Sequence, residues 1–234
     1  EVDARLNGLE IAPVHAVIEG DSNTPTVRAI GNAWITTMSD PPRAVPALPI
    51  KPGWGFRIGR FVFEYGVSVN LGRVIQIFDP DAPAILEFSG VEYFPIHPAY
   101  RLTAQVVPSA SPTQLELVDS RGHLQKFWLY GELRFALHGT SQRLELYADT
   151  LDGAGQQGFL LIFADATSGK ETYPAARYLN TGAPVKGTVM IDFNRAYNPP
   201  CVFSELYSCP FPRPNNRLPV RVEAGAKWYR PKGK

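Results

Sequence analysis

From Phe56 onward the chain is a succession of short runs of alternating apolar and polar residues, cut by turn signals roughly every 8–12 residues. That spacing restricts the fold to an all-β sandwich or barrel of many short, mainly antiparallel strands. Phe56–Tyr65 (FRIGRFVFEY) has the period of a half-buried strand. Val67–Asn70, Arg73–Phe78, Ile85–Tyr93, Tyr100–Val107, Gln114–Val118, Phe127–Leu137, Gln142–Tyr147, Val185–Phe193 and Leu218–Val222 are further strand candidates. Leu71-Gly72, Asp79-Pro80-Asp81, Pro108–Pro112 and Arg121-Gly122 punctuate them. Gly131, in the middle of its run, marks a bulge or a close backbone approach. Gly158–Ala164 (GFLLIFA) is continuously apolar, as in a strand buried on both faces, although periodicity alone leaves a buried helix open.

Before Gly55 the pattern fails. Glu1–Leu9 has room for a short helical turn, and Asn32–Thr37 reads as a strand anchored by Trp34. Pro41-Pro42, Pro46, Pro49 and Pro52-Gly53 break the remainder. The 22 prolines and 20 glycines of the 234 residues favour turns over long helices, and no stretch carries a convincing helical stripe. The expectation is a single domain: an all-β part over 56–234, with an irregular N-terminal segment, 1–55, packed on it.

A formal net charge of +1 gives no global field to attract nucleic acid. Seven cations (Arg213, Arg217, Arg221, Lys227, Arg230, Lys232, Lys234) against Glu223 make the stretch from Pro210 locally +6, but only Trp228 and Tyr229 accompany them for stacking. No apolar run reaches the roughly 18 residues of a transmembrane helix. A processed N-terminus at Glu1 would favour an extracytoplasmic location.

The densest chemistry lies in Asp192-Phe193-Asn194-Arg195-Ala196-Tyr197-Asn198-Pro199-Pro200-Cys201, followed by Cys209-Pro210 and Asn216-Arg217-Leu218. On a strand from Thr188, alternation places Val189, Ile191 and Phe193 on the core face and Met190, Asp192 and Asn194 on the other. A buried Asp192 requires a cation or several donors, and Arg177 and Arg195 are the local candidates. Two arginines with amide and phenol donors suit an anionic ligand. Tyr173, Asn194, Arg195, Tyr197 and Asn198 would then bind it, and in an enzyme Asp192 would be general base with Arg177 or Arg195 the charge stabiliser. The same residues would equally serve as a structural clamp on a Pro-rich loop.

The two cysteines, Cys201 and Cys209, are compatible with a disulfide, which in so short a loop would stabilise the fold by roughly 2–3 kcal/mol, or with thiols. Their spacing is not Cys-x-x-Cys, and further ligands for zinc are missing nearby. His97, between Pro95-Ile96 and Pro98, is the most constrained of the four histidines. Neither a nucleophile elbow, a Walker loop nor a dinucleotide fingerprint is present, so no cofactor or metal is implied.

These residues carry a resemblance. The chain is similar, over about Phe56–Lys227, to the uncharacterised prokaryotic family catalogued as domain of unknown function 1684. The matching words are Asp165-x-Thr167, Glu171-Thr172-Tyr173, Arg177-Tyr178-Leu179, the ten-residue block itself, Cys209-Pro210, Asn216-Arg217-Leu218 and Glu223-Ala224-Gly225, with Phe88-Ser89-Gly90, Tyr93-Phe94-Pro95 and Gly131–Phe135 upstream. Similar proteins usually carry a glutamate where this chain has Ala226, and tend to begin with a Trp-Leu-rich segment not found here. The resemblance implies a mostly-β domain with its signature residues gathered at one end, and no activity. Two readings of function follow: a β-domain that binds a small anionic molecule, either a binding protein or an enzyme; or a non-catalytic interaction or scaffold subunit with a protein partner, the signature acting as a clamp.

Overall fold

The computed structural model describes residues 15–20, 24–68, 72–148 and 158–230. The helical turn expected at Glu1–Leu9 and the tail lysines Lys232 and Lys234 lie outside them. The chain divides into two compact units, 1–86 and 87–234, each built from antiparallel strands. No helix among the described residues is long and apolar enough to cross a membrane.

The first unit contains β1 (Ala16–Glu19), β2 (Thr26–Ala29), β3 (Ile35–Thr37), β4 (Ala44–Val45), β5 (Ala47–Pro49), β6 (Trp54–Ile58), β7 (Phe61–Ser68) and β8 (Gly72–Phe78). They form one sheet in the order β1-β2-β5 and another in the order β4-β3-β6-β7-β8. Within the segment read as irregular, the strands beyond the expected β3 are two to four residues long, too short to leave a periodic trace. FRIGRFVFEY is a hairpin rather than one strand. Gly59, at φ +56°, supplies the left-handed conformation of a two-residue loop between Ile58 and Phe61. The two-residue loop shifts the alternation by one position, from Phe56 and Ile58 to Phe61, Phe63 and Tyr65, so both limbs bury the same face. Phe56 and Phe63, paired in register, stack at 4.9 Å. A cavity of about 220 Å³ in this unit is lined by Ile18, Tyr65, Arg73 and Ile75 among others, and by none of the signature residues.

Ile85–Tyr93 is not a strand. A single helical turn, α1 (Pro83–Leu86), precedes irregular chain. Ile85, Leu86, Phe88 and Tyr93 are exposed, and among the described residues the stretch pairs through an isolated bridge of Tyr93 with Ala226 and not through a strand.

The second unit holds a six-stranded sheet of β9 (Arg101–Val118), β10 (Leu124–Leu137), β11 (Thr140–Ala148), β12 (Leu160–Phe163), β13 (Arg177–Asn180) and β14 (Thr188–Asp192), in the order β13-β12-β11-β10-β9-β14. Two expected strands, Tyr100–Val107 and Gln114–Val118, are one. Pro108–Pro112 does not end β9 but bulges from it: the register steps from Leu129 opposite Thr113 to Gly131 opposite Pro108. Gly131 is what permits this, since a Cβ there would lie 2.2 Å from the Val107 carbonyl oxygen. Leu218–Val222 is not a strand: the chain bends at Pro219 and Val220, and Pro219 has no N–H to give a ladder.

One face of the sheet is covered along its width and the other over β12, β13 and the neighbouring ends of β9–β11. Leu144, Leu146, Leu161, Phe163 and Leu179 face a large core shared with Val189, Ile191 and Phe193. The alternate residues Tyr147, Ile162 and Tyr178 face a smaller one with Leu117, Phe127 and Cys209. β12 is therefore buried on both sides, as its unbroken apolar run requires.

Candidate functional site

The signature residues separate onto these two faces. On the larger core, the apolar run of β12 ends at Asp165. Its carboxylate accepts from the Thr167 amide (2.8 Å), the Thr167 hydroxyl (2.7 Å) and the Val222 amide (3.1 Å). Arg177, at the start of β13, donates from Nη2 to Asp165 Oδ2 (2.7 Å) and to the Val222 carbonyl (2.8 Å), and from Nη1 to the Ala224 carbonyl. The guanidinium lies over the Phe163 ring at 5.3 Å. The two side chains are 1% and 0% exposed. Burial pushes the Arg177 pKa down and the Asp165 carboxylate opposes it, so the pair is tenable only as a pair. Arg177 Nε has no partner among the described residues.

Asp192 is thus not the partner of Arg177. It caps the 3₁₀ turn Phe193–Arg195, accepting from the Asn194 amide (3.1 Å) and side chain (2.9 Å). Arg101 is its register neighbour on β9. Met190, on the same face, is exposed, so that face is an outer surface and not a second layer. Asn194 reaches across to His97, accepting from its amide (3.0 Å) and donating to its carbonyl (3.1 Å), as a strand neighbour would. His97 in turn caps the turn Pro98–Tyr100. Asn198 is buried and donates to the Lys227 carbonyl (2.7 Å), while its Oδ1 has no partner among the described residues. Arg195 is exposed. The residues expected around one ligand are therefore spread over a buried ion pair, two loop clamps and an exposed arginine.

Tyr173, Tyr178, Tyr197, Cys201 and Cys209 do meet, on the smaller core. Tyr178 and Tyr197 exchange backbone bonds of 2.9 Å each, which covers the free edge of β13, and their rings pack at 6.0 Å. The Tyr178 hydroxyl donates to the Pro210 carbonyl (2.8 Å). Cys201 and Cys209 are free thiols, and the Cys201 amide donates to Cys209 Sγ (3.2 Å). Hydrogen bonds from the Cys209 thiol and from Tyr173 favour the Cys201 thiolate and bring its pKa down to about 7 against the cost of burial. The Cys209 thiol is pushed up by its bond to Cys201 and by burial, and Tyr173 rises to about 12, chiefly through burial and then through the neighbouring thiols. Among the described residues no group of three His, Cys, Asp or Glu side chains is placed to hold a metal ion.

The family described as "Protein of unknown function (DUF1684)" matches residues 86–227. The chain belongs to that family. The match starts at the second unit rather than at Phe56. A solution NMR structure of an uncharacterized protein of Haloarcula marismortui resembles the chain with a TM-score of 0.52 and 30% identity, over 64% of this chain and 82% of that one. No curated protein matches.

In this family member Ala226 falls in the interior: the residue is buried, its amide bonds the Ala196 carbonyl (2.8 Å), and it bridges Tyr93. The sequence pointed to Asp192 as the general base and gave Asp165 no role at the site. The available signal was a carboxylate ending a fully apolar strand with a Thr two residues on, the pattern of an Asx turn. Asn216, noted only as part of a word, is fully buried. It accepts from the Glu145 amide (2.7 Å) and donates to the carbonyls of Ile162 (3.0 Å) and Glu145 (3.2 Å).

Proposed function

We propose that the second unit is a non-catalytic interaction domain and that its signature block is an internal clamp. The observation that carries this reading is where the polar side chains are committed. Arg177, Asn194 and Asn198 bind main-chain groups of segments that have no sheet ladder of their own, 222–224, 97 and 227, and Asn216 ties its own irregular segment to the main chain of β11 and β12 at Glu145 and Ile162. A buried irregular segment must satisfy its N–H and C=O groups somehow, and these side chains do it. The apolar surface lies elsewhere. Val118, Leu124, Leu206, Tyr207 and Phe211 are exposed; Leu124 pairs with Val118, and the Phe211 amide bonds the Val118 carbonyl (2.9 Å). An exposed apolar group of this kind supports a protein partner.

The test is a thermal-shift series with phosphate, sulfate, citrate and acetate on wild type and Arg195→Ala. The clamp reading expects no saturable rise in Tm with any of the anions. A saturable rise that Arg195→Ala abolishes, while leaving the unliganded Tm unchanged, would overturn it in favour of an anion site.

A further inference from the structure

We propose that Cys201 and Cys209 form a dithiol redox site, with Cys201 the attacking sulfur and Cys209 the resolving one, that accepts oxidising equivalents from a small-molecule disulfide.

The geometry distinguishes the two thiols. Cys201 is half-buried in the 3₁₀ turn Pro200–Val202, within reach of solvent, whereas Cys209 is 4% exposed and packed in the smaller core. Cys209 is also held in place. Its amide donates to the Ser120 hydroxyl (3.3 Å), and its carbonyl accepts from the Ser120 amide (3.0 Å). Its sulfur sits against the backbone of Cys201, accepting from that amide at 3.2 Å. An accessible thiol beside a fixed, buried one is the arrangement in which an external disulfide meets the first sulfur and the second can reach only the first.

The surroundings set the same order. The groups facing the pair are Tyr173 and Tyr178, with Tyr197 beside them, and Asp119 and Ser120 of the turn after β9. Tyr173 donates toward Cys201, as does the Cys209 thiol, which favours a thiolate at Cys201 near neutral pH. Asp119 disfavours charge at Cys209. The Cys209 proton therefore stays until Cys201 has reacted.

The step balances. The Cys201 thiolate attacks one sulfur of the small disulfide, forming a mixed disulfide and releasing one small thiolate. Cys209 then loses its proton, attacks Cys201 Sγ and releases the second small thiol. The protein gains a Cys201–Cys209 bond and loses two hydrogens; the small disulfide is reduced to two thiols. The bond closes the loop that carries exposed Leu206 and Tyr207, so the redox state would set how firmly that apolar loop is held.

Iodoacetamide alkylation of the native protein between pH 5 and 9, followed by peptide mass spectrometry, tests the order of reactivity. Cys201 is expected to react first, with a midpoint near 7, and Tyr173→Phe to move that midpoint upward. Oxidised glutathione as probe should yield the internal disulfide in wild type and a stable glutathione adduct on Cys201 in Cys209→Ser. A Cys201 midpoint at the ordinary thiol value of about 8.5, preferential alkylation of Cys209, or a Cys209→Ser protein that retains its wild-type melt but accumulates no adduct would each overturn the proposal. The alkylation profile of wild type decides the matter even if the serine variant fails to fold.

Discussion

The two faces of the six-stranded sheet treat polar groups in opposite ways. On the larger face, Asp165 and Arg177 are sealed in and joined to each other and to the main chain. On the smaller face, Tyr173 and two thiols contact one another, and one of the thiols is partly open to solvent. The 192–201 block supplies neither set whole: Asp165 and Arg177 lie outside it, and it contributes Cys201 but not Cys209. The lesson is that density of special residues does not locate a site. What a polar side chain is bonded to does: a group bound to backbone carbonyls is committed, and a group bound to another titratable side chain can still do chemistry.

The sharpest way to break this contrast is Arg177→Met. It leaves the Asp165 carboxylate buried without its cation, at a cost of about 3–5 kcal/mol. Urea unfolding should show the whole loss, and the double variant Asp165→Leu/Arg177→Met should recover part of it, since an apolar pair does not leave a charge stranded. An Arg177→Met protein with the wild-type midpoint would mean that the larger face is not locked by this pair.

Gly225→Ala probes the same face through its backbone. Gly225 has φ +76°, and a Cβ would lie 2.6 Å from the carbonyl oxygens of both Phe193 and Ala196. Strain and overlap together should cost about 2–3 kcal/mol in the same unfolding measurement. A smaller loss would show that the 222–227 segment can move away from the signature block, and the clamp would be loose.

The strands of the second unit were legible wherever burial alternates or is complete, as in β10, β11 and β12. Gly131 was legible as a close approach because a strand has few other uses for a glycine. The hairpin in FRIGRFVFEY and the continuity of β9 were not: the turn shifts the period by only one residue, and the bulge interrupts it without ending the strand. The site was less legible than the fold. Asp192, Arg177 and Asn194 were marked by type and proximity in sequence, but which carboxylate meets Arg177 depends on the pairing of β12 with β13. That pairing places Phe163 opposite Arg177, with Asp165 just beyond, a long-range fact that local pattern does not carry.

Asn194→Ala should have a smaller effect. It removes two bonds to the backbone of His97 from a half-buried position, for about 1–2 kcal/mol. Because His97 belongs to the turn before β9, hydrogen exchange at the amides of His97 and Ala99 should rise before global unfolding does. Unchanged exchange there would remove Asn194 from the clamp and leave its side chain open to another role.

The smallest effect concerns the other side of the contrast, at Asp119 in the turn beside Cys209. Burial would raise its carboxyl, but the nearby Ser208 hydroxyl, the Gln125 side chain and the amides of Arg121 and His123 outweigh it and hold the pKa well below the carboxylate range. A folded-state pKa below the unfolded value of about 3.9 means stability that is present above that pH and lost as the pH falls through the acid range below it. The stability gap between wild type and Asp119→Asn should therefore be flat from neutral pH down to about 5 and should shrink below about 4. Alkylation of Cys209 at a fixed higher pH, after mild acid exposure and return, should match the untreated protein if the turn re-forms. A gap that persists undiminished to pH 3 would show that the asparagine loses a shape and not a charge, and the thiol corner would then be held as rigidly as the larger face.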